Sequence, residues 1–91
     1  MNDDLIRAQA MLDADKPKEA VKILNRLIDT GEPDAEALFT RGKALWRMGI
    51  RDAATNDYAA AAELDPDGPA ARALENARDI ADFFNPDIYN P

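Results

Sequence analysis

Carboxylates and lysines are the side chains of this sequence that could act as acids, bases or metal ligands, because it contains no histidine and no cysteine. Histidine is the usual general base near neutral pH, and histidine and cysteine supply most zinc ligands. Two acidic runs, at 13–15 and 65–68, lack the further oxygen ligands of a calcium loop. We therefore expect no catalytic centre, metal site or cofactor. A carboxylate-based enzyme is the remote alternative, and it would require a deep pocket.

Residues suited to binding a partner are concentrated in one cationic segment of an otherwise acidic chain. Residues 37–51 contain four basic residues and no acidic one, whereas the whole chain has 18 acidic and 11 basic residues. On a helix, Phe39, Lys43, Trp46 and Arg47 share one face. Arginine binds carboxylates bidentately and tryptophan offers a large rigid contact area. This face predicts a binding surface for an acidic, partly apolar segment of a protein or peptide.

The overall composition excludes several other classes of partner. A net charge of −7 disfavours nucleic acids and anionic membrane surfaces, both of which attract basic proteins. A hydrophobic content of 46% is too high for a disordered chain. The sequence has no apolar run of about 20 residues that could span a membrane, and its acidic start does not resemble a signal peptide. We expect a cytoplasmic protein.

Five helices must position these residues. Apolar residues at helical spacing predict helices over 3–14, 17–29, 34–48, 51–64 and 69–84. Asn2 or Asp3 is expected to cap the first helix and Asp34 the third, while Gly31 and Gly49 are expected to end the second and third, Gly31 in a left-handed conformation. No segment alternates with period two, so no strand is predicted. Short loops predict antiparallel hairpins.

The sequence also repeats weakly at an offset of 34 residues. Identical residues occur at Arg7/Arg41, Ala10/Ala44 and Ala20/Ala54. Small residues align at Ala8/Gly42, and large ones align at Met11/Leu45 and Leu24/Tyr58. Small residues let paired helices approach closely, and the large ones fill the space beside them. The pattern is therefore one that helix pairing needs.

This pattern resembles the tetratricopeptide repeat. Within 35–68 the resemblance is carried by Leu38, Arg41-Gly42, Leu45, Gly49, Ala54, Tyr58, Ala61 and Pro66. Arg41 stands where a large apolar residue is usual, and we expect it to pair with a carboxylate on an adjacent helix. Residues 1–34 match less well, with Asp4 and Arg7 at apolar positions, as suits the polar outer face of a terminal repeat.

The resemblance implies an all-α fold, a right-handed stack of antiparallel helical hairpins in one domain. Its parts are a first repeat (1–34), a second repeat (35–68), a capping helix (69–84) and a C-terminal tail (85–91). It also implies a concave groove that holds a peptide, lined by the first helix of each hairpin. The groove residues would be Leu5, Gln9, Leu12, Phe39, Lys43, Trp46 and Arg47. Some members of this family bind a C-terminal carboxylate through a clamp of Lys, Asn and Arg residues. The corresponding positions here hold Leu5, Thr40, Ala70 and Leu74, and Gln9 is the only polar residue left, so recognition of a chaperone tail is not expected.

Several alternatives stay open. Trp46 could instead be partly buried core, and Lys43 with Arg47 a solvated helix face. The tail segment 87–91 could pack on the last helix, or occupy the groove of its own or a neighbouring molecule. Two repeats are also fewer than such arrays usually need. The alternative function is therefore a self-associating structural module, a homodimer through the repeat edge or the tail.

Overall fold

The computed structural model describes residues 3–31 and 34–84, with side chains as far as Ile80. These ranges contain five helices: α1 (Asp3–Asp13), α2 (Pro17–Thr30), α3 (Ala35–Arg47), α4 (Arg51–Leu64) and α5 (Pro69–Phe84). No strand occurs in them. The predicted all-α fold with five helices is confirmed, and every helix end lies within one residue of its predicted position.

The helices pack mainly as sequence neighbours. Each helix contacts the next one along the chain, and α3 also contacts α1 and α5 at smaller interfaces. Because the connections are only three or four residues long, consecutive helices form antiparallel hairpins. One side of α3 is thereby placed between α1 and α5, and this is the side from which the candidate site is built.

Alanine and leucine form most of the core. Leu24 of α2 is fully buried, and it belongs to one cluster with residues of α1, α2 and α3: Leu5, Ala8, Leu12, Ala20, Ala37 and Ala44. The core of the second hairpin is built around Ala54 and Tyr58 of α4, against which Ala77 of α5 packs. The many alanines allow close helix approach, so stability depends on fit at a few large side chains.

The ends of the helices follow local chemistry. The Asp34 carboxylate accepts a hydrogen bond from the Glu36 amide at 3.0 Å, which confirms it as the cap of α3. Gly49 ends α3 with φ of +81°, as expected. Gly31 has φ of −121° and is extended, so its predicted left-handed conformation is wrong. The Thr30 hydroxyl donates to the Arg26 carbonyl one turn back at 2.7 Å, a local bond typical of threonine side chains in helices. Asp3 is the first residue of α1 rather than its cap, and Asn2 lies outside the described residues.

Replacement of Gly49 by alanine should lower the free energy of unfolding by about 1 kcal/mol, since a left-handed residue with a Cβ is strained. A Cβ at this position would have no atom within 4 Å, so the whole cost comes from the backbone. Urea unfolding followed by circular dichroism would measure it. Gly49→Asn is the control, because asparagine tolerates this conformation and should retain more of the stability. Equal losses in the two variants would contradict the explanation.

Candidate functional site

Two cations lie over two aromatic rings on the same side of α3. The Lys43 Nζ atom is 4.7 Å from the centre of the Phe39 ring. The Arg51 Cζ atom is 4.9 Å from the centre of the Trp46 ring. Both distances are within the range of a cation–π interaction. We call Phe39, Lys43, Trp46 and Arg51 the cation–aromatic surface.

Helical spacing and one tight turn create this arrangement. Phe39 and Lys43 are four residues apart on α3 and therefore lie on one face. Arg51 begins α4, and the turn at Gly49 brings it back over Trp46 at the end of α3. Arg51 was not among the predicted site residues. The signal in the sequence was its place in the same basic segment.

Tyr58 of α4 packs against the rings of both Phe39 and Trp46. Its ring centre lies 5.8 Å from that of Phe39 and 6.5 Å from that of Trp46, both in tilted orientations. Only 6% of Tyr58 is exposed. Burial, followed by the nearby negative charge of Asp57, raises the pKa of the Tyr58 hydroxyl above its ordinary value. The phenol is therefore neutral at physiological pH, and the three rings form one rigid aromatic cluster.

Trp46 is both partly buried core and partly exposed surface, the two alternatives that the sequence left open. Its ring is half-buried and packs against the core cluster around Tyr58. The remaining part borders a shallow cleft of about 180 Å³ that extends to Ala77 and Ile80 of α5. The indole is thus held in place by packing and still offers an accessible edge.

The remaining basic residues of segment 37–51 are engaged within the fold. As predicted, Arg41 pairs with a carboxylate on an adjacent helix: its Nε and Nη2 donate to the Asp57 carboxylate at 2.7 and 2.9 Å, and Nη1 donates to Asn25 Oδ1 at 3.0 Å. These hydrogen bonds to Asp57 raise the pKa of the Arg41 guanidinium. Arg41 is therefore a structural residue that joins α2, α3 and α4.

Sequence reasoning did not identify Asp57. A signal was present, because Asp57 falls on the buried stripe of α4 together with Ala54, Tyr58 and Ala61. A carboxylate on such a stripe requires a partner, and Arg41 is the basic residue that matches it.

Arg47 also makes contacts within the protein. Its Nη1 donates to the Leu12 carbonyl at 2.5 Å and lies 4.0 Å from the Asp15 carboxylate. Leu12 is in the last turn of α1, and its carbonyl also accepts a hydrogen bond from the Asp15 amide at 3.0 Å. Arg47 therefore ties the end of α3 to the end of α1. Its side chain remains 50% exposed at the margin of the cation–aromatic surface.

The residues predicted on α1 have different positions. Leu5 and Leu12 are 8% and 5% exposed, in the cluster that includes Ala37 and Ala44 of α3. They are core residues rather than groove residues in this structure, because small side chains on α3 let α1 approach closely. Gln9 stays accessible, and its Nε2 donates to Glu36 Oε1 at 3.2 Å. The tail residues 85–91, proposed to pack on the domain or fill a groove, lie outside the described residues.

A second cleft, of about 290 Å³, lies where α3 and α5 begin. We call it the amino-end cleft. Its lining includes Gln9, Glu36, Phe39, Lys43, Asp65 and Ala70. It shares Phe39 and Lys43 with the cation–aromatic surface, so the two features form one continuous face along α3.

Comparisons of the chain with protein-family models, curated proteins and solved structures found no match in any of the three. The resemblance to the tetratricopeptide repeat therefore stays a prediction that rests on the residues themselves. Within the described ranges, every helix is too short or too polar to cross a lipid bilayer.

Proposed function

We propose that this protein is an interaction module that binds an acidic, partly apolar segment of another protein on the cation–aromatic surface. The observation that carries the proposal is the pair of cations, Lys43 and Arg51, held over the rings of Phe39 and Trp46. The tetratricopeptide resemblance, with its peptide-holding groove, and a cytoplasmic location are parts of the same proposal.

The arrangement suits a carboxylate followed by an apolar side chain. A cation over a ring keeps donors free on its outer side, where a carboxylate can accept them. The exposed edges of Phe39 and Trp46 provide apolar contact beside those donors. Acidic residues are absent from segment 37–51, so no carboxylate of this segment competes for the cations.

Contacts with Tyr58 restrict the movement of the Phe39 and Trp46 rings. Phe39 and Trp46 are each in contact with Tyr58, which is buried. Binding therefore requires little ordering of the two rings, and less of the interaction free energy is lost to side-chain entropy. Aromatic and cationic side chains fixed in this way are typical of residues that dominate binding energy.

Replacement of Lys43 or Trp46 by alanine should weaken binding of an acidic peptide about tenfold for each residue, because each removes a contact at the centre of the surface. The probe is a short fluorescein-labelled peptide with aspartates beside isoleucine and phenylalanine. Fluorescence anisotropy measures its affinity for every variant. For the native chain, quenching of Trp46 fluorescence provides a second readout.

The matched control is Lys22→Ala, which removes an exposed lysine of α2, away from this surface. It changes net charge by the same amount as Lys43→Ala and should leave the affinity unchanged. Unchanged binding after combined replacement of Lys43 and Trp46 would refute the site. Sedimentation velocity of the unliganded chain over a dilution series separately tests the self-associating alternative.

A further inference from the structure

The charge along the binding face of α3 changes sign from one end to the other. The amino end of α3 lies beside the end of α4 and the start of α5, as the shared lining of the amino-end cleft shows. Neither 34–40 nor 60–71, the stretches that contain most of the cleft lining, has a lysine or arginine. Their acidic residues are Asp34, Glu36, Glu63, Asp65 and Asp67. The cationic residues begin at Arg41 and continue to Arg51.

Two carboxylates border the amino-end cleft itself. Glu36 is exposed, and its Oε1 atom accepts a hydrogen bond from Gln9. Asp65 is exposed, and its carboxylate makes no hydrogen bond or ion pair within the described residues, although its backbone bonds to Ala61 and Gly68. The lining also includes the apolar Phe39 and Ala70, and it includes Lys43 where the cleft continues into the cation–aromatic surface. Apolar lining beside two carboxylates matches a long aliphatic side chain that ends in a cation.

The positive end of α5 does not reverse this preference. Its first residues line the cleft, and helix amino ends attract anions with roughly half a unit of charge. Asp65 lies against the start of α5, because a Cβ on Gly68 would be 2.4 Å from its Oδ2 atom. Asp65 therefore offsets that partial charge, and Glu36 is the second carboxylate of the lining.

We propose that the amino-end cleft takes a lysine or arginine side chain of the same segment that binds the cation–aromatic surface. The preferred partner is then dipolar, with a basic residue at one end and an acidic residue at the other. This inference rests on the proposed function and specifies its partner. The cleft, at about 290 Å³, lies just below the range of sites for drug-sized molecules and suits one long side chain.

The helix fixes the spacing between the two charges. Glu36 precedes Lys43 by seven residues and Trp46, over which Arg51 lies, by ten, which corresponds to about 10 and 15 Å along the axis. An extended peptide advances about 3.3 Å per residue. The basic residue should therefore stand about three to five positions from the acidic one.

The test compares two peptides that differ at one position. Both carry the acidic, apolar sequence used above, and one has a lysine about four positions from its aspartate where the other has glutamine. The lysine peptide should bind the native chain about three- to tenfold more tightly, as expected for one charge contact in a partly exposed cleft. In the double variant Glu36→Gln with Asp65→Asn the lysine peptide should lose this advantage, while the glutamine peptide binds as before.

The control variant is Glu75→Gln with Asp79→Asn, which removes the same charge from the exposed face of α5. It should keep the preference for lysine. The inference is overturned if lysine gives no advantage, if the advantage survives Glu36→Gln with Asp65→Asn, or if the control abolishes it equally. Binding of the glutamine peptide without a lysine effect defeats this inference alone, and failure of both peptides to bind the native chain defeats the proposed function as well.

Discussion

Replacement of Asp57 by alanine should lower the free energy of unfolding by about 3 kcal/mol. The side chains of Asp57 and Arg41 are only 9% and 21% exposed, and two hydrogen bonds join them. Without Asp57 the guanidinium stays inside the fold with Asn25 as its remaining partner. Unpairing a buried charge costs about 3–5 kcal/mol, and the partial exposure of Arg41 places this pair near the lower limit.

Urea unfolding followed by circular dichroism measures this loss, and two variants control for its cause. Asp52→Ala removes an exposed aspartate from the first turn of the same helix and should lower stability by less than about 1 kcal/mol, the usual limit for a carboxylate at that place. Asp57→Leu combined with Arg41→Met removes both charges and should recover most of the stability, because no unpaired charge remains. A loss for Asp57→Ala as small as that of Asp52→Ala would show that the pair is solvated rather than structural.

The 34-residue offset shows why sequence alone predicted Arg41 only in part. Arg7 aligns with Arg41, but Arg7 lies on a terminal helix and forms an exposed ion pair with Asp4 at 3.7 Å. The position that aligns with Asp57 is Ile23, so the first hairpin has no counterpart of the buried pair. Periodicity identified a cation that needed a partner. The choice of Asp57 depended on how α3 and α4 are rotated against each other, which one sequence does not specify.

The helices were more predictable than the site. Proline, glycine and helical spacing act locally, so the sequence predicted every helix end to within one residue. The site depends on how closely the helices approach. Ala37 and Ala44 let α1 come near enough to bury Leu5 and Leu12, and Arg47 reaches a carbonyl of α1. Both outcomes are long-range packing effects, and they reduced the predicted groove to the part formed by Gln9, Phe39, Lys43 and Trp46.

Replacement of Gly42 by alanine should lower the free energy of unfolding by about 2 kcal/mol, the usual scale of overpacking. A Cβ at this position would lie 2.6 and 2.7 Å from Cε1 and Cδ1 of Tyr58, and 3.2 Å from the Ala54 carbonyl oxygen. The Tyr58 ring has little room to move, since it packs between Phe39 and Trp46. The two helices must therefore separate, which outweighs the roughly 1 kcal/mol that alanine contributes to helix propensity.

The first hairpin suggests a second variant that tests the same contact. Ala8 and Leu24, both fully buried, occupy the positions that align with Gly42 and Tyr58. Combining Gly42→Ala with Tyr58→Leu recreates that pair in the second hairpin, where leucine leaves room for the new methyl group. The double variant should therefore be more stable than the sum of the two single changes by at least about 1 kcal/mol, a coupling typical of residues in contact.

A double-mutant cycle by urea unfolding measures this coupling. The control is Gly49→Ala combined with Tyr58→Leu. The effects of these two changes on stability should be additive, because Gly49 has open space around it. If Gly42→Ala costs as much beside leucine as beside tyrosine, then the Tyr58 ring is not what opposes the methyl group. The same ring supports Phe39 and Trp46, so Gly42→Ala should also weaken binding of the acidic peptide. Since position 42 does not itself contact that peptide in the proposed site, such a loss would show that the α3–α4 contact holds the cation–aromatic surface in its binding shape.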